Sequence, residues 1–355
     1  MRIAIEATLA QGQPTGLGNY SINLLEALAR LSNPEDDYLL LYSTKSWNGP
    51  DLGRNFHPVS YRLTGKQSLD IIFNLNRVLR RERAEIFHAT CTTGIPPNPA
   101  IPCVATIHDL YPLIAPEECS IATVLAFRTL VGFTVRNAKH FILNSAFTGS
   151  ELKRLCGIPE EMTSITHLAS CLAMSPVEKR SGDPFILCVG AIEGRKGQLL
   201  LANAYKHALL KAGKLPPLRF VGPDRGDGAA LRKFINQELP LNASWDDFVT
   251  TEKLIELYQT AALLACPSFY EGFGIPIVEA ECVRLPVICS DLPVFREVNG
   301  DWPVYAAPSV EGLASALSDF SMGAFDDHFK KATPPSFSWD EVARKTFECY
   351  KKALP

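Results

Sequence analysis

Short apolar runs recur along the chain, and segments with apolar residues at helical spacing separate them. Such runs predict strands, and the leucines of residues 17–31 recur at the spacing of a helix. The predicted strands are 2–7, 38–42, 85–89, 104–108 and 140–144, followed by 185–189, 218–221, 263–266 and 286–290. Strands that alternate with helices in this way predict an α/β fold, in which helices cover both faces of parallel sheets.

The pattern divides the chain in two. A length of 355 residues exceeds the usual size of a single core. Residues 171–184 lose apolar periodicity and gather Ser, Pro and charge, which predicts a linker. We therefore expect one doubly wound domain over residues 1–172, a linker over 173–184 and a second doubly wound domain over 185–337. Residues 338–355 hold a last helix, and another helix is expected over 145–156, capped by Asn144 or Ser145.

Composition narrows the functional classes. A net charge of -3 argues against nucleic acid as a partner. The ten cysteines include no CxxC pair and no zinc spacing, which favours a reducing cytosol over a disulfide framework. The chain opens directly on an apolar strand, and no run reaches the 18 apolar residues of a membrane span. These features predict a cytoplasmic protein that is at most peripheral to a membrane.

The segment SFYEGFGIPIVEAE carries the strongest chemical signal, with Glu271 and Glu279 at the two ends of a loop-to-helix turn. Gly272 and Gly274 let the backbone bend and let a ligand approach its N–H groups. The next residues, Ile275 and Pro276, predict a helix start, whose free N–H groups favour phosphate or sugar oxygens. Glu279 can accept both hydroxyls of a ribose, and Glu271 can accept those of a sugar.

This segment resembles the motif E-G-F-G-x-P-x-x-E-A of the retaining glycosyltransferases of family 4. The matching residues are Glu271, Gly272, Phe273, Gly274, Pro276, Glu279 and Ala280. The resemblance implies the GT-B fold, in which two Rossmann-like domains face each other across a cleft. It also implies that the last helix crosses back to the first domain, with Trp339 at the family's usual tryptophan.

A second candidate element is VGAIEGRKG, where Gly190 follows a predicted strand and Arg195 and Lys196 follow in the first turn of the next predicted helix. The helix dipole disfavours cations at that end, so the pair makes most sense if an anion binds there. A diphosphate would fit. The family uses an equivalent basic pair on the donor diphosphate.

A third candidate is ATIHDLYP, in which a predicted strand ends in His108. A histidine at the carboxyl end of a parallel strand lies where ligands bind. The family carries a matching histidine close to the transferred sugar, so the resemblance implies that His108 hydrogen bonds to the sugar or its reacting centre. Asp109 and Tyr111 are weaker candidates for contacts with the acceptor.

The segment PTGLGNYS, with Gly16 and Gly18 at the start of the first helix, could be mistaken for a dinucleotide fingerprint. The glycines come too long after the first strand, and Ser21 replaces the third glycine of that fingerprint. The loop instead resembles the family's glycine loop over the donor phosphate and acceptor. Leu17 and Asn19 are then weak acceptor candidates, with Asn19 where some members have arginine.

Three further features stand apart from these motifs. Arg284 and Ala169 occupy positions where the family commonly has glycine. The segment NLNRVLRRERAE concentrates four arginines, Arg77, Arg80, Arg81 and Arg83. They predict either a solvated helix face or contact with anionic lipid headgroups or a lipid diphosphate acceptor.

Together the motifs predict a retaining transfer of a sugar from a nucleotide diphosphate sugar to a hydroxyl of a glycan or lipid-linked acceptor. No Asp-x-Asp pair is seen, so we expect neither a metal nor another cofactor. TGLGNY and the general pattern resemble the mannosyl- and rhamnosyltransferases of bacterial surface polysaccharide synthesis, and of these sugars mannose, from GDP-mannose, is favoured. The alternatives are a nucleotide-sugar epimerase, a phosphorylase, or a binding protein of the same fold without catalysis.

Overall fold

The structure is a computed structural model that describes residues 1–12, 16–177 and 182–354. The chain forms two compact units: unit 1 comprises Met1–Cys171 and Phe337–Pro355, and unit 2 comprises Leu172–Ser336. Part of the predicted linker, residues 178–181, lies outside the described residues. None of the helices in the described ranges is long and apolar enough to cross a membrane.

Unit 1 is built on a parallel sheet of seven strands in the order β3-β2-β1-β4-β5-β6-β7. The strands are β1 (Arg2–Glu6), β2 (Asp37–Tyr42), β3 (Phe56–Ser60), β4 (Ile86–Ala89), β5 (Cys103–Ile107), β6 (His140–Leu143) and β7 (Thr163–Ile165). Their apolar residues form a core with the flanking helices, in which Leu39, Phe87 and Phe141 are fully buried. The chain enters at β1 in the middle of the sheet and reverses its direction of growth between β1 and β4.

The helices of unit 1 are α1 (Gly16–Leu31), α2 (Gln67–Asp70), α3 (Asn76–Arg81), α4 (Tyr111–Ile114), α5 (Ile121–Asn137), α6 (Ala146–Cys156) and α14 (Trp339–Ala353). A π-helical turn, Ile71–Leu75, joins α2 to α3. Ser145, one of the two residues predicted as the cap of α6, accepts a hydrogen bond from the Thr148 amide. Gly157 ends that helix in the left-handed conformation.

The last helix, α14, completes unit 1 although it follows unit 2 in the chain. It packs along α1, and the Tyr350 hydroxyl lies 2.8 Å from Nδ1 of the buried His88 in β4. The Trp339 indole donates to the Ser170 carbonyl at 2.7 Å. Since His88, Tyr350 and Trp339 are buried, α14 is part of the core of unit 1.

Unit 2 holds a second parallel sheet, of six strands in the order β10-β9-β8-β11-β12-β13. The strands are β8 (Ile186–Val189), β9 (Leu218–Val221), β10 (Ala243–Asp246), β11 (Leu263–Cys266), β12 (Val287–Ser290) and β13 (Val304–Ala306). The helices are α7 (Gln198–Ala212), α8 (Gly228–Glu238), α9 (Thr251–Thr260), α10 (Ile275–Cys282), α11 (Pro293–Asn299), α12 (Val310–Ser321) and α13 (Asp326–Lys331). The predicted α/β class with parallel sheets is thus confirmed.

Two local predictions were wrong. Arg195 and Lys196 do not lie in the first turn of a helix: they form a separate 3₁₀ turn, Gly194–Lys196, because Gly197 takes a left-handed φ of 68° and α7 begins only at Gln198. His108 is not a strand residue either. The pairing of β5 with β6 ends at Ile107, so His108 is the first residue beyond the strand.

Arg284, at a position where glycine was expected, has a left-handed backbone with φ of 53°. A side chain with Cβ is disfavoured there by about 1 to 2 kcal/mol. The conformation explains why glycine suits this turn between α10 and β12. In this chain the exposed residue Arg284 adopts this disfavoured backbone conformation.

Candidate active site

The main group of predicted residues lies at the point where the order of strands in unit 2 reverses. From β8 the sheet grows through β9 to β10 on one side, and from β11 through β12 to β13 on the other. The loops that follow β8 and β11 therefore leave the sheet in opposite directions and open a crevice at the carboxyl ends of the strands, where ligands bind in such sheets. Gly190 follows β8 directly, and the Glu271 motif follows β11.

These two loops are joined by their backbones. The Phe269 amide donates to the Arg195 carbonyl at 2.8 Å. Gly197 allows this approach, because a Cβ at its position would lie 2.3 Å from the Pro267 carbonyl oxygen. Only glycine combines that clearance with the left-handed φ. The backbone thus holds the cationic turn against the loop that carries Glu271.

A compact ion cluster results. Lys196 Nζ lies 2.6 Å from Glu271 Oε1, and Arg195 lies 3.8 Å from Glu271 Oε2. Ser268 Oγ donates to the same Oε1 at 2.8 Å, and Arg195 Nε also pairs with Glu193 at 2.8 Å. Burial opposes ionisation of Glu271, but the charges of Lys196 and Arg195 overcome it and lower the pKa of that carboxyl. Glu271 is therefore an anion at neutral pH.

The structure brings together three of the residues predicted as catalytic, Arg195, Lys196 and Glu271. The basic pair was predicted to bind an anionic ligand. In the structure the Glu271 carboxylate already pairs with both cations. Ser268 and Glu193 were missed by the sequence argument. Ser268 stands three residues before Glu271, and a hydroxyl so close to a functional carboxylate is the signal that could have found it.

The glycine loop leads from Glu271 into α10. Gly274 is the N-cap of α10 and has a φ of 103°, and a Cβ there would meet the Phe295 ring at 2.6 Å. Phe273 is 3% exposed, and Gly272 lies beside it. The helix begins at Ile275, with Pro276 in its first turn. The predicted turn and helix start are confirmed, and the N–H groups of that turn are suited to anions.

Glu279 lies in α10, one turn beyond its start, and is 6% exposed. Tyr258, fully buried in α9, donates its hydroxyl to Glu279 Oε2 at 2.7 Å. Burial raises the pKa of Glu279 to about 7, against the lowering effect of this hydrogen bond. Its ionisation therefore changes near neutral pH. Tyr258 was missed by the sequence argument, since nothing in its surroundings in α9 marks it.

In unit 1, His108 lies just beyond β5 and is half-buried. Its Nε2 is 2.9 Å from the Thr90 carbonyl, and the Tyr20 ring packs edge-on against it with centroids 4.6 Å apart. A carbonyl only accepts, so Nε2 carries the proton and Nδ1 holds the lone pair of the neutral ring. Burial lowers the pKa of His108. At neutral pH the ring can therefore accept a hydrogen bond from a ligand hydroxyl.

Thr90, the first residue beyond β4, joins His108 to the first strand. Its hydroxyl donates to the Glu6 carbonyl at 2.8 Å and lies 3.3 Å from Ser21 Oγ of α1. Glu6, the last residue of β1, is fully buried, and one of its oxygens accepts from Tyr61 at 3.0 Å. Glu6 and Thr90 lie at the strand reversal of unit 1, between β1 and β4, and no motif in the sequence indicated them.

The remaining predicted residues of unit 1 lie apart along the chain. Gly16, Leu17, Gly18 and Asn19 form the first turn of α1, where Leu17 is exposed and Gly18 is buried. The preceding residues 13–15 lie outside the described part. The Asp109 carboxylate accepts a hydrogen bond from the Tyr111 amide at 3.2 Å. The Tyr111 hydroxyl donates a hydrogen bond to the Glu118 carboxylate. Tyr111 is thus already partnered within its own loop.

Two other features bear on the location of the site. A cavity of about 570 Å³ lies in unit 1, lined by Met1, Leu28 and Phe347 among others. Met1 precedes β1, so this cavity is at the amino ends of the strands, opposite the edge where ligands bind in such sheets. Within residues 1–12, 16–177 and 182–354, no group of three or more His, Cys, Asp or Glu side chains is placed to hold a metal ion.

Two sequence families match the chain. The family described as "Glycosyltransferase Family 4" matches residues 14–167, and that described as "Glycosyl transferases group 1" matches residues 173–328. The first match falls in unit 1 and the second in unit 2. The segments PTGLGNYS, VGAIEGRKG and SFYEGFGIPIVEAE all lie within the matched ranges.

The relatives agree with this assignment. O-antigen chain mannosyltransferase B of Escherichia coli is 27% identical over 95% of this chain and 96% of its own length. Sucrose-phosphate synthase from Thermosynechococcus elongatus superposes with a TM-score of 0.73 at 18% identity, over 99% of this chain and 98% of that one. Anabaena HepE, solved in complex with UDP and glucose, superposes with a TM-score of 0.67 at 15% identity, over 99% and 97%.

The two structural matches show the fold, which is the GT-B fold of two α/β units with parallel sheets. The sequence matches extend from the first helix of unit 1 to the last helices of unit 2. The chain belongs to glycosyltransferase family 4, whose members are retaining hexosyltransferases.

Proposed function

We propose that this enzyme transfers mannose, with retention of configuration, from GDP-mannose to a hydroxyl of a glycan or lipid-linked acceptor. The ion cluster of Arg195, Lys196 and Glu271 is the observation that carries the proposal. It lies on the loops at the strand reversal of unit 2, and the helix that bears Glu279 starts beside it. A site with two cations and a buried carboxylate suits a ligand with a diphosphate and a ribose.

In this proposal Lys196 and Arg195 stabilise the diphosphate as it leaves the sugar. The leaving group gains negative charge while its bond to the sugar breaks, so a cation that is already in place lowers the barrier. Glu271 keeps both cations in position and can accept a sugar hydroxyl with its remaining lone pairs. The amides at the start of α10 add donors for the phosphate oxygens. No step requires a metal ion.

Glu279 would bind the ribose through its carboxylate, and His108 would accept a hydrogen bond from the sugar or from the attacking hydroxyl. The acceptor attacks from the face of the leaving group, and the departing phosphate takes its proton. Gly16, Leu17, Gly18, Asn19, Asp109 and Tyr111 remain proposed contacts of donor and acceptor. The choice of mannose rests on relatives named as O-antigen mannosyltransferases.

An epimerase would use the same donor site without an acceptor, and a binding protein would use it without turnover. Release of nucleotide only when an acceptor glycan is added would separate the transferase from both alternatives.

Binding of the donor nucleotide should raise the melting temperature without any metal. A ligand that binds only the folded state stabilises it by about 2.7 kcal/mol at 100 times its Kd. We expect GDP and GDP-mannose to stabilise the protein more than the UDP, ADP and dTDP pairs do, with and without EDTA. Differential scanning fluorimetry measures the shift.

The same panel contains its control. Glu279→Ala should lose most of the shift, whereas Glu256→Ala, an exposed glutamate of the same unit, should keep it. Stabilisation by UDP instead of GDP would move the proposal to another sugar donor. An absence of response to all four nucleotides would count against the donor site itself.

We also propose that the enzyme is cytoplasmic and contacts an anionic membrane. Residues 62–83 present a basic and apolar surface: Phe73 and Leu63 are 69% and 61% exposed. The exposed cations of this segment are Arg62, Lys66, Arg77, Arg80, Arg81 and Arg83. Of its two acids, Asp70 is buried and accepts from the Thr64 hydroxyl, and Glu82 pairs with Arg81 at 2.7 Å, so the acids offset one of these six cations.

Replacing Arg77, Arg80, Arg81 and Arg83 by glutamine should abolish sedimentation with vesicles of phosphatidylglycerol and phosphatidylcholine. Each cation near such a surface contributes about 1 kcal/mol, so four should change the partition about 10²-fold or more. Phe73→Ser should weaken binding further, while Phe248→Ser, a phenylalanine of unit 2 with 65% exposure, should not. Unchanged sedimentation of the arginine variant would leave the segment as a solvated helix face.

A further inference from the structure

We propose that Tyr258 is a positioning residue of the donor site, which holds the Glu279 carboxylate in the orientation and charge state that a ribose requires. The inference rests on the proposed function, since it takes a nucleotide as the ligand of Glu279. Tyr258 belongs to α9 and Glu279 to α10, the helices on either side of β11 in the chain. The hydroxyl of the first lies 2.7 Å from Oε2 of the second.

Glu279 depends on this hydrogen bond. Within the described residues, the Tyr258 hydroxyl is the one side-chain partner that the Glu279 carboxyl has. Glu279 is 6% exposed, and a buried carboxylate without donors is strongly disfavoured. Removal of the phenol oxygen would therefore leave the charged form of Glu279 without support until a ligand arrives.

The Tyr258 hydroxyl is the donor of its hydrogen bond with Glu279. Tyr258 is fully buried, and burial together with the negative charge of Glu279 raises its pKa well above the ordinary value. The phenol thus keeps its proton throughout the physiological range. A hydroxyl that donates to Oε2 favours the ionised carboxyl and restrains its rotation, so Oε1 is the oxygen left to accept from a ligand.

A ribose offers two hydroxyls as donors, which an ionised carboxylate accepts and a protonated carboxyl accepts less well. Among the residues that the structure describes, the other titratable groups that act on the pair are the thiols of Cys188 in β8 and Cys266 in β11, both near Tyr258. Burial raises the pKa of both thiols, so they stay neutral near pH 7. The charge state of the Glu279 carboxyl is then decided by two opposing effects: burial raises its pKa, and the hydrogen bond from Tyr258 lowers it.

The test compares GDP with 2′-deoxy-GDP by isothermal titration calorimetry from pH 6 to pH 9. The diphosphate titrates in both ligands, so its effect cancels when the Kd of 2′-deoxy-GDP is divided by the Kd of GDP. This ratio isolates the contribution of the 2′-hydroxyl. In the native protein the ratio should rise with pH, with a midpoint near 7. In Tyr258→Phe, the midpoint should move about one unit upward, and GDP binding at pH 8 should weaken about twofold, because the ionised fraction of Glu279 at that pH falls from about 0.9 to about 0.5.

Two variants keep the result interpretable. Tyr205→Phe removes another hydroxyl from a fully buried tyrosine of unit 2, one that donates to the Pro216 carbonyl, and it should leave the midpoint unchanged. Glu279→Gln should abolish the pH dependence of the ratio, and adding Tyr258→Phe to it should cause no further loss.

An unchanged midpoint in Tyr258→Phe, or an equal shift in Tyr205→Phe, would overturn the inference. If Glu279→Gln binds both ligands as the native protein does, the proposed donor site fails instead. UDP and ADP, each with its 2′-deoxy counterpart, replace the guanine pair if the thermal panel selects them.

Discussion

Replacing Lys196 by alanine should lower kcat for sugar transfer about 10²- to 10³-fold, the usual loss when one group that stabilises a leaving anion is removed. Lys196 is the cation closest to Glu271, at 2.6 Å, and both side chains are largely buried. A cation held in place acts on the diphosphate without reorganisation during the reaction. Glu271→Ala should cause a loss of similar size, because it frees Lys196 and Arg195 from the positions that the carboxylate sets. Steady-state kinetics with the donor selected by the thermal panel measures both.

The matched control is Lys206→Ala, which breaks an exposed ion pair with Glu238 in the same unit and should leave kcat unchanged. Lys196→Ala also leaves Glu271 buried without its main partner, which can destabilise the fold. The double variant Lys196→Ala/Glu271→Gln removes that charge, and its kcat should stay as low as that of Lys196→Ala. Near-native turnover in both single variants would overturn the site assignment.

Replacing Glu281 by methionine should raise the free energy of unfolding by about 1 to 3 kcal/mol at pH 7.5, the usual penalty of a buried polar group without partners. Glu281 lies in α10 and is 3% exposed, and neither carboxyl oxygen has a hydrogen-bond partner within the described residues. Methionine has a similar volume and no polar hydrogens. The change therefore removes the penalty and keeps the packing.

The gain in the free energy of unfolding from Glu281→Met should depend on pH. Burial raises the pKa of Glu281 from 4.5 to about 9, so between these values the folded carboxyl holds a proton that the unfolded one has released. The folded state binds more protons in this window, and its stability falls as the pH rises, by at most about 1.4 kcal/mol per unit. Urea unfolding at pH 6, 7 and 8 should show a growing advantage of the variant. Glu256→Met, at an exposed site, should show none, and a destabilised Glu281→Met would mean that the carboxyl has an unrecognised partner.

The strands that the apolar pattern failed to predict share one structural property. They are β3 and β7 in the first sheet and β10 and β13 in the second, which are the edge strands of their sheets. An edge strand has a neighbour on one side only, and these four carry exposed or half-buried residues. The inner strands are buried on both faces and read as apolar runs. Periodicity therefore predicted the centre of each sheet and stopped at its margins.

The candidate site shows a similar limit. Arg195, Lys196 and Glu271 were predicted because charged residues beside glycines are conspicuous in a sequence, and the structure brings them together. Tyr258 and Ser268 support those groups from positions that look like ordinary helix and loop residues. Their roles depend on contacts across 21 and 3 residues of chain, and a single sequence holds no record of which hydroxyl meets which carboxylate.

The position of α14 sets an order for the folding of the chain during synthesis. Unit 2 has emerged in full once Ser336 leaves the ribosome, whereas unit 1 still lacks residues 337–355. Until they appear, His88 has no Tyr350 and Ser170 has no Trp339. The half of the protein that is made first is therefore the last to close, and a nascent chain stalled before α14 emerges would expose the surfaces of α1, β5 and β6 that α14 covers to chaperones and proteases.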